Sequence, residues 1–113
     1  MKTVTFAVSS PEEVTRRARA AFGGTRQGAR ISFASPELLF SLMTPKRWEL
    51  IRAMAGAGAM SIREAARRVE RDVKAVHGDV HALLGAGVLQ RDDDGRVVFP
   101  FDAVHVDFVL HAA

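Results

Sequence analysis

Between residues 61 and 81 the chain reads SIREAARRVERDVKAVHGDVH: two short helical patterns back to back, interrupted by Glu70-Arg71-Asp72. No other stretch limits the fold as strongly. In the first pattern Ile62, Ala65, Ala66 and Val69 recur at three- and four-residue steps and make one apolar stripe. In the second, Val73, Val76, Val80, Leu83 and Leu84 do the same, and Gly85-Ala86-Gly87 closes it. Ser61 and Glu64 fit the capping box, in which the serine oxygen accepts from the amide at position 64 and the glutamate answers back. Helices this short are marginal alone. They have to brace one another, and the alanines of the first let the second approach closely at a steep angle.

The flanks extend the pattern. Ser35-Pro36-Glu37 starts a short helix through Leu42. Thr44-Pro45 starts another, with Thr as cap and Pro in the first turn. Its residues Trp48, Leu50, Ile51, Met54 and Ala55 face inward. Downstream, Val88 to Arg91 and Arg96 to Phe99 flank the turn Asp92-Asp93-Asp94-Gly95, a hairpin signal. Near the N-terminus, Thr3 to Val8 and Ala29 to Ala34 read as strands. Between them SPEEVTRRARAAF reads as a helix stopped at Gly23-Gly24, with Val14, Ala18, Ala21 and Phe22 as its apolar stripe. Arg16, Arg17 and Arg19 form its solvated face. Ala103 to Leu110 alternates like a last strand.

These elements predict an α+β chain. Residues 44–113 are expected to form a winged helix-turn-helix with a C-terminal strand, and residues 1–43 an additional N-terminal β-α-β region. The β runs near the two ends have no place in a minimal three-helix wing unit. Their apolar alternation calls for a covering surface, so they are expected to assemble a small sheet serving dimerisation or partner capture.

Several function classes fall away. A length of 113 residues suits one domain, or one with a short appendage. The absence of cysteine removes disulfides and thiolate metal sites and fits a reducing cytoplasm. The longest weakly polar run, Ala53 to Met60, is too short to cross a membrane, and the opening MKTVTFAV does not read as a signal peptide. No phosphate-cradling glycine loop, nucleophile or triad spacing points to catalysis, so no enzyme and no cofactor are expected. His77 and His81 share a helix face while Asp79 lies roughly opposite, since a helix turns about 100° per residue. Two histidines without a third ligand make a poor zinc site, so no metal is expected.

Charge points elsewhere. The chain carries 16 basic and 13 acidic residues. Residues 1–60 hold 9 of the basic and 4 of the acidic, a net of +5, and the remainder is −2. A basic balance suits a polyanion. The second helix of the pair, with its apolar stripe turned in, projects Lys74, Ala75, His77, Gly78 and His81. A B-DNA major groove about 12 Å wide admits one helix with modest side chains. Ala75 and Gly78 permit close approach, while Lys74 and His77 offer hydrogen bonds. Arg71 sits at the end that enters the groove. Ser61, Arg63, Arg67 and Arg68 on the bracing helix, with Arg91 and Arg96 on the hairpin, are placed for phosphates, which fix register without reading sequence.

The pieces REAARRV, RDVKAVHGDV, LLGAGVL and PFDAVHVDF resemble a family of small MarR-like winged-helix transcriptional regulators. The likeness is most specific over the C-terminal half. It implies helix-in-groove DNA binding and a homodimer, with Arg71, Lys74, His77 and position 78 facing the groove. A basic residue is common at position 78 in that family, and Gly78 weakens the contact there. Asp92-Asp93-Asp94 also departs from the pattern by repelling phosphate from the wing. The resulting expectation is a cytoplasmic, sequence-specific regulator that represses or autoregulates a small operon. A dimer would present two recognition helices about one DNA turn apart, over a pseudo-palindromic site. The rival expectation is an antitoxin or interaction module that sequesters a toxin-like partner protein, with DNA binding secondary. The N-terminal region, large for DNA binding alone, favours that rival.

Overall fold

Short polar caps and prolines divide the chain into brief elements. The computed structural model describes residues 1–9, 12, 15, 16, 19, 28–110 and 112. Among these, the elements in chain order are strands β1 (Thr3–Val8) and β2 (Arg30–Phe33), then helices α1 (Pro36–Leu42), α2 (Pro45–Met54), α3 (Ile62–Arg68) and α4 (Val73–Gly85). Strands β3 (Gln90–Arg91), β4 (Val97–Val98) and β5 (Ala103–Asp107) follow. The class is α+β, with four helices and a small sheet among the described residues. Of the helix expected after Ser9, residues 12, 15, 16 and 19 are helical and exposed. Its proposed stripe of Val14, Ala18, Ala21 and Phe22, together with Arg17, lies outside the described residues.

The three end runs join as one sheet, in the order β2-β1-β5, and both pairings are parallel. Parallel neighbours need a crossover between them rather than a tight turn. β1 is therefore flanked by strands that come from distant parts of the chain. Its register sets Phe6 beside Ile31 and Val106, and Val4 beside Val104. Val4 and Phe6 are fully buried on the helix-facing side. The Phe6 ring lies 5.8 Å from both Phe33 and Trp48, stacked on the latter, and this fastens the sheet to α2.

The helix starts follow the caps. Ser35, Thr44 and Ser61 each accept from a backbone amide three residues on, Leu38, Arg47 and Glu64, at 3.2, 3.3 and 3.1 Å. Leu50, Ile51 and Met54 of α2, Ala65 and Ala66 of α3, and Val76, Val80 and Leu83 of α4 are buried. They join Val4, Phe6 and Phe33 in one core cluster, so residues 1–43 and 44–113 share both a sheet and an interior.

Four expected strands, β2 to β5, are shorter than their sequence runs. Val88 and Leu89 are adjacent and both buried, packed into the core ahead of the hairpin ladder. Their amides donate to the Leu83 carbonyl at the end of α4 instead of to a ladder. Only Gln90 and Arg91 pair with Val98 and Val97, and Met60 bonds to Val97 in both directions. β5 stops at Asp107, not Leu110, because Asp107 is the last residue with a partner on β1. Beyond it Phe108 turns edge-on to Phe40, and Val109 and Leu110 are exposed.

Candidate nucleic-acid interface

Each of the three residues that interrupt the helical pattern has its own task. Glu70 adopts the left-handed conformation, φ +54°, just beyond the end of α3. Its amide donates to the Arg67 carbonyl at 3.2 Å, and the Arg71 amide donates to Ala66 at 3.1 Å. Those two bonds make the Schellman exit, which usually uses glycine at the position Glu70 holds. Asp72 then caps α4, its carboxylate accepting from the amides of Lys74 at 3.0 Å and Ala75 at 3.3 Å. One helix is closed and the next opened within three residues. That fixes the angle between them.

Arg71 departs from the expectation of a groove-facing cation. Its guanidinium turns inward, 16% exposed, with Nη1 2.8 Å from Asp79 Oδ2. The approach is off-line for a well-aligned hydrogen bond, and the two groups meet as an ion pair. Arg47 of α2 donates from Nε to the other oxygen, Oδ1, at 3.0 Å and from Nη1 to the Leu42 carbonyl at 2.9 Å. Burial alone would raise the Asp79 carboxyl. The Arg47 hydrogen bond and the contact with Arg71 outweigh it and hold the carboxyl below its ordinary value. This Arg47–Asp79–Arg71 group ties α2, the hinge and α4 together. Sequence spacing places Asp79 opposite the histidines and does not single out Arg47. A signal was present: position 79 lies beside the stripe of Val76, Val80 and Leu83, where a carboxylate demands a partner.

The remaining predicted residues divide by availability. Lys74, Ala75, His77, Gly78 and His81 are exposed along one side of α4, and the Lys74 side chain has no partner among the described residues. A Cβ added at Gly78 would meet nothing within 4 Å, so this surface is open as well as small. On α3, Ser61 is occupied by its cap, while Arg63 is exposed and unpaired among the described residues. Arg67 and Arg68 both engage Glu64, whose carboxyl is lowered by the Arg68 hydrogen bond foremost, against a smaller desolvation. Glu64 therefore does not complete the capping box as expected; the two arginines take its carboxylate. On the hairpin, Arg91 donates to the Gly95 carbonyl at 3.0 Å, and Arg96 is exposed beside Asp92, Asp93 and Asp94. Asp92 is a fastener of that turn, accepting from the amides of Asp94 and Arg96.

A second concavity lies away from this surface. Trp48, expected purely as a core anchor, also lines an open cleft of about 380 Å³ with Ile51, Arg52, Ala55, Asp102, Ala103 and Val104. Among the described residues no helix is long and apolar enough to cross a membrane.

Against known proteins, the HVO_A0114 family model matches residues 42–106, a span running from the end of α1 almost to the end of β5. No curated protein matches the chain.

Proposed function

The chain belongs to the HVO_A0114 family, and from that premise and the geometry of α3 and α4 we propose a DNA-binding transcriptional regulator of the winged helix-turn-helix type, akin to the MarR-like proteins. One observation carries the reading. α4 is anchored on one side by Val76, Val80, Leu83 and Asp79, and offers on the other an unobstructed row of Lys74, Ala75, His77, Gly78 and His81. A rigid helix with small residues and a free cation on its outer side suits the width and charge of a major groove. Arg63, with Arg67 and Arg68 partly neutralised by Glu64, supplies phosphate contacts that set register. Arg71 acts from behind by holding α4 in place. The wing adds little, since its three aspartates face solvent.

The test is fluorescence anisotropy on DNA from upstream of the chain's own gene, across a salt series. Lys74→Ala is expected to weaken binding and to lower the slope of log affinity against log salt by about one unit, the loss of roughly one phosphate contact. Unchanged affinity and slope for Lys74→Ala and Arg63→Ala together would refute the orientation proposed for α4.

A second reading, capture of a partner protein with DNA binding secondary, rests on a different observation. Leu38, Phe40, Val106, Val109 and Leu110 are exposed, and Phe40 meets Phe108 just past the end of β5, so a protein or second copy would find apolar surface on α1 and along the end of β5. Sedimentation of the chain alone at high micromolar concentration checks the homodimer; a strict monomer removes it.

A further inference from the structure

On the exposed side of α4 the Nε2 atoms of His77 and His81 stand 3.1 Å apart, with ring centroids separated by 4.2 Å. Four-residue spacing guarantees a shared helix face and nothing more. Convergence of the two ring nitrogens is an additional fact, and it has the dimension of a chelate. Imidazole nitrogens bind zinc at about 2.0–2.1 Å. Two such bonds to nitrogens 3.1 Å apart enclose an angle of about 98° at the metal, between the octahedral and tetrahedral values.

We infer that His77 and His81 form a two-point site for a divalent transition-metal ion of the borderline class imidazole prefers, Zn²⁺ or Cu²⁺. In the free protein the two Nε2 atoms are in contact with the rings tilted side by side, and the tautomers set which nitrogen carries a hydrogen. The ion takes the lone pair of each Nε2, so each ring keeps its hydrogen on Nδ1, which faces away from the metal. Both rings are exposed, and solvent reaches them. Asp79 does not contribute, being held by Arg47 and Arg71. Lys74, one turn back on the same side, opposes a dication and limits the affinity. No group of three or more His, Cys, Asp or Glu side chains gathers among the described residues. The ion therefore keeps open coordination positions for water or for a donor atom of whatever meets α4. The expectation of no metal rested on the missing third ligand. A two-histidine chelate does without one, at the cost of affinity.

The site is tested on the whole 113-residue chain without DNA, so its failure is separate from failure of the regulator reading. Zn²⁺ is titrated calorimetrically, and Cu²⁺ is followed by the nitrogen couplings in its electron paramagnetic resonance spectrum. One ion per chain is expected, with two equivalent nitrogens in the copper spectrum. His77→Ala and His81→Ala should each weaken binding by about tenfold or more, because each removes the chelate, while His105→Ala leaves it unchanged. Zn²⁺ should also raise the melting temperature of the native chain and not of the His77 and His81 variants, since it clips one turn of α4. Alanine at these exposed helical positions favours the helix, so the variants fold. Equal affinity in the native chain and both single variants would overturn the site, leaving adventitious binding by independent histidines.

Discussion

Glu70 and Gly87 hold the same place in two helix exits. After α4, the amide of Gly87 donates to Leu84 and that of Val88 to Leu83, and Gly87 sits at φ +79°. After α3 the same pair of bonds surrounds Glu70 at φ +54°. Glycine enters that region freely, whereas a side chain there costs roughly 1 kcal/mol or more. Glu70→Gly relieves the strain and gives back part of it in unfolded-state entropy. A net gain of about 0.5 kcal/mol is expected, visible as a higher urea midpoint at unchanged slope; a loss of stability would mean that the Glu70 side chain makes a compensating contact. The interruption in the helical pattern was legible in the sequence. That a glutamate would take the glycine conformation was not, because only the position of Arg71 and Asp72 around it forces the turn.

At the scale of elements, α4 is defined by what each of its sides meets. Its inner side carries Asp79, which joins it to α2 and the hinge. The Asp79 carboxyl is lowered below its ordinary value of 3.8. A lowered carboxyl stabilises the fold fully above its unfolded value, and that contribution fades as pH falls through the lower folded value. Asp79→Asn should therefore destabilise the chain at neutral pH by about 1–3 kcal/mol, since two mostly buried arginines lose their counter-charge. Only below about pH 3.8 should the variant and native chain converge, as followed by urea melts across pH. A constant difference would show that Asp79 acts by packing rather than charge. The outer side holds Gly78, mid-helix and open to solvent. Gly78→Arg should stabilise α4 by about 0.5–1 kcal/mol through helix propensity. If α4 enters a groove, it should also tighten DNA binding and steepen the salt dependence. Tighter folding with unchanged DNA affinity would place the groove elsewhere.

Across the whole molecule, β1 is the piece on which distant segments converge. It bonds to β2 and β5, and contributes Val4 and Phe6 to the interior that α2 and α4 also line. A chain beginning at residue 44 would lack these, together with Phe33, and would leave β5 without its only neighbouring strand among the described residues. Each buried aromatic or aliphatic side chain removed costs about 2–5 kcal/mol. Such a truncation should melt far below the full chain in a thermal scan, with loss of cooperativity. Equal melting would establish residues 44–113 as a self-sufficient domain, and the N-terminal strands as an accessory.

Local chemistry by itself determined a good deal of this protein. Caps at Ser35, Thr44 and Ser61, prolines in first turns and apolar stripes at helical spacing set all four described helices to within a residue or so, because each depends on neighbours a few positions away. The same locality gave the outward row from Lys74 to His81. Tertiary structure decided whatever joins residues far apart: the parallel order β2-β1-β5, the truncation of β3 and β4 by Val88 and Leu89 turning into the core, and the inward swing of Arg71 toward Asp79. Sequence spacing records which side of an element a residue occupies. It carries no record of what stands opposite, and the partner across the gap decides whether an arginine meets solvent or a buried carboxylate.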